Sequence, residues 1–384
     1  MKIVYCIAGT YRSGGMERVL ANKANYLATH GYDIVIVTTD QKGREPFFKL
    51  DSKIKCYDLN INYEENNGKS IFNKIINYPK KQFLHKKRLT TLLKSEKPDI
   101  TISMFCNDVT FITDIKDGSK KILEIHFSKF KRLQYGRKGL WALADKWRTK
   151  QDEKLVQKFD KFIVLTKEDA SYWGDLKNMQ VIYNASPFKT ELISSLENKK
   201  VIAIGRYTHQ KGFDMLLESW QQVNKLLPDW KLNIIGDGES NEIAQLKLLI
   251  KKYNISDSVA LVRPTSNIER EYLSSSLLVL SSRYEGLPMI LIEAQTFGLP
   301  IVAFDCKCGP KDVITNGIDG IIVNSNNTNE FAQAIIKLLS NKELLHYMSI
   351  NAKESSKRFN EDFIMNQWIT LFAEIYENDR NICS

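Results

Sequence analysis

Two glutamates eight positions apart, Glu285 and Glu293, frame the most chemically suggestive stretch of this 384-residue chain, Glu285-Gly286-Leu287-Pro288-Met289-Ile290-Leu291-Ile292-Glu293. A carboxylate accepts two hydroxyl hydrogen bonds well, and charged acceptors make the stronger bonds, so this pair suits a sugar or a ribose. Glu285 falls in a loop after the apolar run Leu277–Leu280, and Glu293 lies about two turns into the helix expected next. Gly286 allows close backbone approach, and Pro288 suits a first helical turn whose free amides form an anion site. A surface glutamate plus a helix-face glutamate is the plainer alternative. It is disfavoured because Glu293 stands among Ile290, Leu291 and Ile292, where a carboxylate without a task is unusual.

A second stretch, Gly205-Arg206-Tyr207-Thr208-His209-Gln210-Lys211-Gly212, follows the apolar run Val201–Ile204 directly. Arg206 and Lys211 are two cations at what would be the carboxyl edge of a sheet. A diphosphate leaving group needs that arrangement, because negative charge grows on its β-phosphate as the glycosidic bond breaks. A solvated basic loop is the alternative, and the glycine at each end argues against it.

The elements that must position these residues read as two α/β series. Ile3–Ala8, Ile34–Thr38, Asp99–Met104, Lys121–Ile125, Phe162–Leu165 and Val181–Tyr183 are strand candidates in the first half. Val201–Ile204, Leu232–Ile235, Val259–Val262, Leu277–Leu280 and Pro300–Ala303 follow in the second, with helices expected over Asp214–Leu226, Ile243–Tyr253, Glu330–Leu339 and Glu361–Tyr376. Alternation of this kind predicts two doubly wound parallel sheets, each Rossmann-like. The polar segment Asn184–Lys200 reads as the linker. The expected division is therefore residues 1–190 for a first domain and 191–360 for a second. The final helix, about 361–384, would return to the first domain through Trp368, Leu371, Phe372 and Ile375. Ligands gather at carboxyl edges of such sheets, so a cleft between facing domains is the expected site.

These motifs, in this order, resemble the large retaining glycosyltransferase family 4, whose members have the GT-B fold. Ile234-Ile235-Gly236-Asp237-Gly238 resembles the family's glycine-ended strand, and the likeness is strongest over about 199–325. By that resemblance Arg206 and Lys211 hold the donor's diphosphate, Glu293 accepts the ribose hydroxyls, and Glu285 contacts the transferred sugar. Gly286, Leu287, Pro288 and Met289 line the sugar and phosphates. Base contacts come from the loop carrying Arg263 and Pro264, where this chain lacks the family's usual glycine. In the first domain Gly14-Gly15-Met16-Glu17 resembles the family's glycine-rich loop, which implies Gly15 toward the donor and Gly14 and Glu17 toward phosphate or acceptor, and a plain turn before a helix is the alternative. His126 resembles the family's histidine beside the reacting sugar, with a structural histidine as the alternative. No G-x-G-x-x-G opens the first helix, which counts against a dehydrogenase.

The resemblance implies hexosyl transfer with retained configuration, explained in this family by front-face attack in which the donor's phosphate takes the acceptor proton. The stretch Asp305-Cys306-Lys307-Cys308-Gly309-Pro310 is similar to the branch that resembles lipopolysaccharide and capsule hexosyltransferases, mostly users of UDP-hexoses. UDP-Gal, UDP-Glc or UDP-GalNAc is thus the expected donor, and a lipid-linked or surface glycan the expected acceptor. No Asp-x-Asp metal motif occurs, so no metal and no cofactor beyond the nucleotide sugar are expected. A nucleotide-sugar 2-epimerase and a non-catalytic nucleotide-sugar-binding subunit are the rival readings.

Composition bounds the partners. The net charge is +10, and residues 1–190 hold 35 Lys and Arg against 21 Asp and Glu, while residues 191–384 hold 20 against 24. The basic half has a cluster from Lys80 to Lys97 that includes His85, and a second with Lys129, Lys131, Arg132, Arg137 and Lys138 among Phe127, Phe130, Leu133 and Tyr135. Basic residues with interleaved aromatics suit the anionic inner face of a membrane. Nucleic acid fits the charge but lacks a recognised module. Six scattered cysteines, no signal peptide and no membrane-length apolar run lead to the expectation of a cytoplasmic, peripherally membrane-associated enzyme with free thiols.

Overall fold

The computed structural model describes residues 1–66, 70–134, 139–265 and 267–380. Its contacts divide the chain into two units, Met1–Tyr183 with Ile364–Ser384, and Asn184–Phe363. The divisions therefore fall at 183 and 363 rather than at 190 and about 361. The reason is local. The segment read as a linker is already bonded into the second unit, where the Ser186 amide donates to the Phe359 carbonyl at 2.8 Å and the Ser194 amide to the Phe297 carbonyl at 2.9 Å.

The first unit runs β1 (Lys2–Ile7), α1 (Gly15–Thr29), β2 (Asp33–Thr38), β3 (Lys55–Asp58), α2 (Ile71–Glu96), β4 (Ile100–Ser103), β5 (Lys120–Glu124), α3 (Lys131–Gln134), α4 (Leu140–Val156), β6 (Lys161–Val164), α5 (Lys167–Trp173) and β7 (Met179–Val181). Its seven strands lie parallel in the order β3-β2-β1-β4-β5-β6-β7. Central strands of such a sheet are covered on both faces, and β1 is accordingly buried from Ile3 to Ile7.

The second unit runs β8 (Lys200–Ile204), α6 (Phe213–Leu226), β9 (Lys231–Ile235), α7 (Ser240–Lys252), β10 (Val259–Val262), α8 (Ile268–Leu273), β11 (Leu277–Leu280), α9 (Met289–Thr296), β12 (Ile301–Phe304), α10 (Pro310–Val313), β13 (Gly320–Val323), α11 (Thr328–Leu339) and α12 (Lys342–Ser356). Six parallel strands take the order β10-β9-β8-β11-β12-β13 around a core that includes Trp220, Phe304 and Phe331. Strand order reverses between β1 and β4 in one sheet and between β8 and β11 in the other. At such switch points the loops after two neighbouring strands part and leave room for a ligand. The last helix, α13 (Glu361–Arg380), packs in the first unit from Ile364 onward, with Trp368, Leu371, Phe372 and Ile375 all buried.

Helix α2 departs most from what the sequence suggests. Its lysine-rich run shows no strong apolar period, yet it forms 26 residues of helix. The Ser70 hydroxyl caps it by accepting from the Asn73 amide, and His85, Leu89 and Leu93 bury one narrow stripe at four-residue spacing. His85, read above as part of a basic cluster, is in fact buried beside Tyr63, whose hydroxyl lies 3.1 Å from its Nδ1. Burial pushes its pKa down to about 4, so it carries no charge at neutral pH. Lys129 is also internal, bonded to the Tyr172 carbonyl and to Glu153 at 2.7 Å. Tyr135, Arg137 and Lys138 lie outside the described residues, as does Cys383. The other five cysteines are free thiols. Among the described residues no helix is long and apolar enough to cross a membrane.

Candidate active site

Both sequence motifs of the second unit leave the carboxyl edge of the β8/β11 switch point. Gly205 to Gly212 connects β8 to α6, and Ser281 to Pro288 connects β11 to α9. The two loops are stitched together. Arg283 donates twice to Asp214, at 2.9 and 2.6 Å, and once to the His209 carbonyl at 2.7 Å. The Arg283 amide reaches the Gln210 carbonyl, and the Gln210 side chain reaches the Tyr284 carbonyl. Burial tends to raise the Asp214 carboxyl, but the Arg283 hydrogen bonds and charge outweigh it and hold the group below its usual range. Gly212 is required here, since its φ is +63° and a Cβ would stand 2.1 Å from the Ser281 carbonyl oxygen.

This stitching brings Lys211 to Glu285. Their charged atoms lie 2.7 Å apart, and the Ser282 hydroxyl donates to the same oxygen, Oε1, at 2.6 Å. The Lys211 stem lies over Gly205, where a Cβ would come within 3.0 Å of it. Glu285 is buried, and its amide donates to the Lys307 carbonyl at 3.1 Å. Its second oxygen, Oε2, makes no hydrogen bond among the described residues. Lys211 has three N–H donors and spends one on Glu285. An acceptor oxygen and cationic N–H groups therefore stand at one spot, available to a ligand. Arg206 is exposed, without an ion-pair partner among the described residues.

Glu293 lies inside α9, buried, and accepts from the Tyr272 hydroxyl at 2.7 Å. Tyr272 comes from α8 and stacks on Phe297 at 5.3 Å. Gly286, Leu287, Pro288 and Met289 carry the chain from Glu285 into α9, with Pro288 as N-cap. Pro288 also packs on Gly309, whose φ of +109° and absent Cβ admit it, so the Asp305–Pro310 stretch abuts the glutamate loop. Arg263 and Pro264 are exposed after β10, two strands away from β8. The Tyr207 hydroxyl bonds the carbonyls of Ile234 and Val262, tying the ends of β9 and β10 to the Arg206 loop.

In the first unit Gly14 is the N-cap of α1, and Gly15 opens that helix. Glu17 folds back over the cap, where a Cβ on Gly14 would meet its Oε2 at 2.1 Å. His126 follows β5, and its Nε2 lies 3.1 Å from Oε1 of Glu124. Lys23 of α1 reaches the same oxygen at 2.5 Å, and its ammonium sits 3.7 Å from the centre of the Trp368 ring. Among the described residues no group of three or more His, Cys, Asp or Glu side chains is arranged to hold a metal ion.

Ser282, Arg283, Tyr272 and Lys23 escaped the sequence reading. The polar trio Ser281-Ser282-Arg283 directly after an apolar strand is a usable signal for the first two. Nothing in the sequence marks Tyr272 or Lys23, whose partners are 21 and 101 residues away.

Comparison with known proteins bears on the family and the fold. Residues 13–186 match the model of Glycosyltransferase Family 4, and residues 187–355 that of Glycosyl transferases group 1. An uncharacterized glycosyltransferase of Haemophilus influenzae is 32% identical over 96% of this chain and 98% of its own. The amylovoran biosynthesis glycosyltransferase AmsD of Erwinia amylovora is 30% identical over the same shares. A Campylobacter jejuni α-1,4-N-acetyl-D-galactosaminyltransferase, named for a diNAcBac-PP-undecaprenol glycan, is 29% identical over 98% and 99%. Among solved structures, S. aureus TarM with fondaparinux, alpha-GlcNAc-glycerol and UDP aligns with a TM-score of 0.75 at 18% identity, over 97% of this chain and 99% of that one. Anabaena HepE with UDP-glucose aligns with a TM-score of 0.73 at 15% identity, over 97% and 100%. The chain belongs to glycosyltransferase family 4, has the GT-B fold, and is a glycosyltransferase of polysaccharide or glycan biosynthesis.

Proposed function

We propose that this enzyme moves a hexose from a UDP-sugar, with retained configuration and without a metal, onto a lipid-linked or surface glycan at the inner face of a membrane. The observation that carries this reading is the Lys211–Glu285 pair at the β8/β11 switch point. Lys211 and Arg206 would face the diphosphate, Glu285 Oε2 a sugar hydroxyl, and Glu293 the ribose. As the anomeric C–O bond to the β-phosphate breaks, the acceptor oxygen bonds the same face of the sugar and its proton passes to the departing phosphate. The cations stabilise the charge that develops there. His126 would hydrogen-bond the sugar or that phosphate, Gly15 would contact the donor, and Gly14 and Glu17 would form the acceptor or phosphate loop.

UDP is favoured by the Asp305–Pro310 stretch packed against the glutamate loop, and by the UDP and UDP-glucose named for TarM and HepE. A polyprenol-linked or polysaccharide acceptor is favoured by the names of the Campylobacter and Erwinia relatives. For membrane contact the support is a set of exposed apolar side chains among lysines. Ile75, Ile76 and Phe83 project from α2 beside exposed Lys80, Lys86 and Lys87, and Leu143 and Trp147 from α4 beside Lys146 and Lys150. Apolar area at the headgroup boundary plus cations toward anionic lipid is the pattern of a peripheral enzyme.

The test is thermal unfolding of the purified protein, with EDTA, against UDP, GDP, ADP and several nucleotide sugars. A ligand at 100 times its Kd adds about 2.7 kcal/mol to the folded state. UDP alone should raise Tm, and the R206A/K211A double variant should abolish the rise. A shift with GDP only, or a shift that requires divalent metal, would overturn the donor or the metal-free part respectively. Flotation with phosphatidylglycerol vesicles, lost in F83S/W147S, checks the membrane part.

A further inference from the structure

In the first unit a lysine and a glutamate are buried together without contributing to a catalytic role already assigned. The side chains of Lys23 and Glu124 are 5% and 0% exposed, and that of His126, next to them, is 6% exposed. Burying an ion pair gains a fold little over well-packed apolar residues, so its presence calls for another account. Three polar atoms here also lack a hydrogen-bond partner among the described residues: Glu124 Oε2, His126 Nε2 and the Tyr5 hydroxyl. His126 Nε2 stands at ion-pair distance, 3.1 Å, from Glu124 Oε1, but it is not aligned as a hydrogen bond. Catalytic contacts are often unaligned in a ligand-free enzyme and tighten once substrate is bound. The groups around the carboxylate are Lys23 from α1, Tyr5 from β1 and His126 after β5, with the Trp368 ring of α13 beyond Lys23.

We infer that Lys23 and Glu124 are positioning residues for the transfer reaction: Lys23 keeps Glu124 a carboxylate, and Glu124 holds the Nε2 edge of the His126 ring, leaving Nδ1 for the donor. This rests on the reading that His126 faces the reacting sugar. Chemistry supports the division of labour. An imidazole whose one nitrogen faces a fixed carboxylate has its tautomer and ring plane set by that contact, as a free ring does not. Glu124, matched by Lys23 and fully buried, is at the same time removed from the role of nucleophile. Burial alone would raise its carboxyl, but Lys23 and His126 bring it down to about 2.

The experiment reads the tautomer of the His126 ring from its 15N shifts at fixed pH in the ligand-free protein, assigned with H126Q among the five histidines. In the wild type the proton sits on Nε2, toward Glu124. In E124Q the fixed anion is gone and that preference weakens. Removing one partner strands a buried charge and can unfold the protein, so the double variant K23M/E124Q is the safeguard. It replaces both charges by neutral groups of similar volume, and its tautomer preference weakens as well. Alongside, E124Q and the double variant lower kcat about 10-fold or more with the donor KM unchanged. An unchanged tautomer preference in E124Q and the double variant overturns the inference, and so does a weakened one with wild-type kcat. A wild-type protein with the expected tautomer that transfers no sugar would instead refute the functional reading, which keeps the two failures apart.

Discussion

Lys23–Glu124 in the first unit and Lys211–Glu285 in the second both lie near the carboxyl edge of their sheets, and the two pairs differ in depth. Lys23 and Glu124 are almost completely enclosed, with Trp368 against the ammonium. Lys211 and Glu285 have about the same spacing but 18% and 8% exposure, and they stand on two loops. Depth decides what such a pair can do. A fully enclosed carboxylate is strongly destabilised on parting from its partner, because burial would leave its charge unmatched, so the pair behaves as a fixture. A pair at a loop edge can turn its remaining N–H groups and its free oxygen toward a ligand. Under the proposed function, the enclosed pair of the first unit would orient and the loop pair of the second would bind.

Four experiments sharpen or break that contrast. The largest expected effect is on stability. K23M should lose about 3–5 kcal/mol by leaving a buried carboxylate alone, and K23M/E124Q should recover most of it. Denaturant midpoints measure both, and a K23M protein as stable as wild type would show that the pair is not a fixture. Next, K211A should lower turnover about 10²–10³-fold while costing the fold only about 1 kcal/mol, since Glu285 keeps the Ser282 hydroxyl. Steady-state transfer assays and Tm separate the two numbers.

The third is a pH dependence. Burial works to raise the Glu124 carboxyl, but Lys23 and His126 prevail and place it at about 2, below its unfolded value of 4.5. A depressed carboxyl stabilises the fold above its unfolded pKa, and the contribution disappears as pH falls through the folded one. Stability should therefore drop between about pH 4.5 and 2 by an amount on the order of 3 kcal/mol, and this part of the drop should be absent from K23M/E124Q. His85, lowered by burial to about 4, adds a loss of the same sign as pH falls from 6.5, and H85Q removes it. The smallest effect is Y272F. Losing the hydroxyl that donates to Glu293 should cost about 1.5 kcal/mol, a roughly tenfold rise in the Kd for UDP by calorimetry. An unchanged Kd would detach Glu293 from the nucleotide.

Much of this protein is legible in its sequence, and for an identifiable reason. Strands buried on both faces must be short apolar runs, so Ile3–Ile7, Leu277–Leu280 and their counterparts stand out by composition alone. Gly205-Arg206, Lys211-Gly212 and Glu285 to Glu293 are legible because each motif is contiguous, and the chemistry of a strand-to-helix loop is written within a few residues. Helix α2 was not, because a narrow stripe of His85, Leu89 and Leu93 holds it while lysines and exposed apolar side chains such as Ile75, Ile76 and Phe83 share the rest of its surface. Edge strand β3, Lys-Cys-Tyr-Asp, is short and exposed and lacks the apolar signature of the central strands, whereas edge strand β13 carries that signature in Ile321, Ile322 and Val323 but is only four residues long.

What the sequence by itself determined is the set of local parts: two parallel α/β series, their glycine-bounded loops, and the charged residues those loops carry. Which charge meets which was decided only by tertiary structure. Lys211 and Glu285 are 74 residues apart, Tyr272 and Glu293 are 21 apart, and Lys23 and Glu124 are 101 apart. In a parallel sheet each strand is reached through a crossover of a dozen or more residues, so neighbours in space are distant in the chain. Burial then sets the outcome. The same Lys–Glu chemistry becomes an internal fixture under Trp368 and an accessible pair beside Gly205, because water is excluded from one place and admitted to the other.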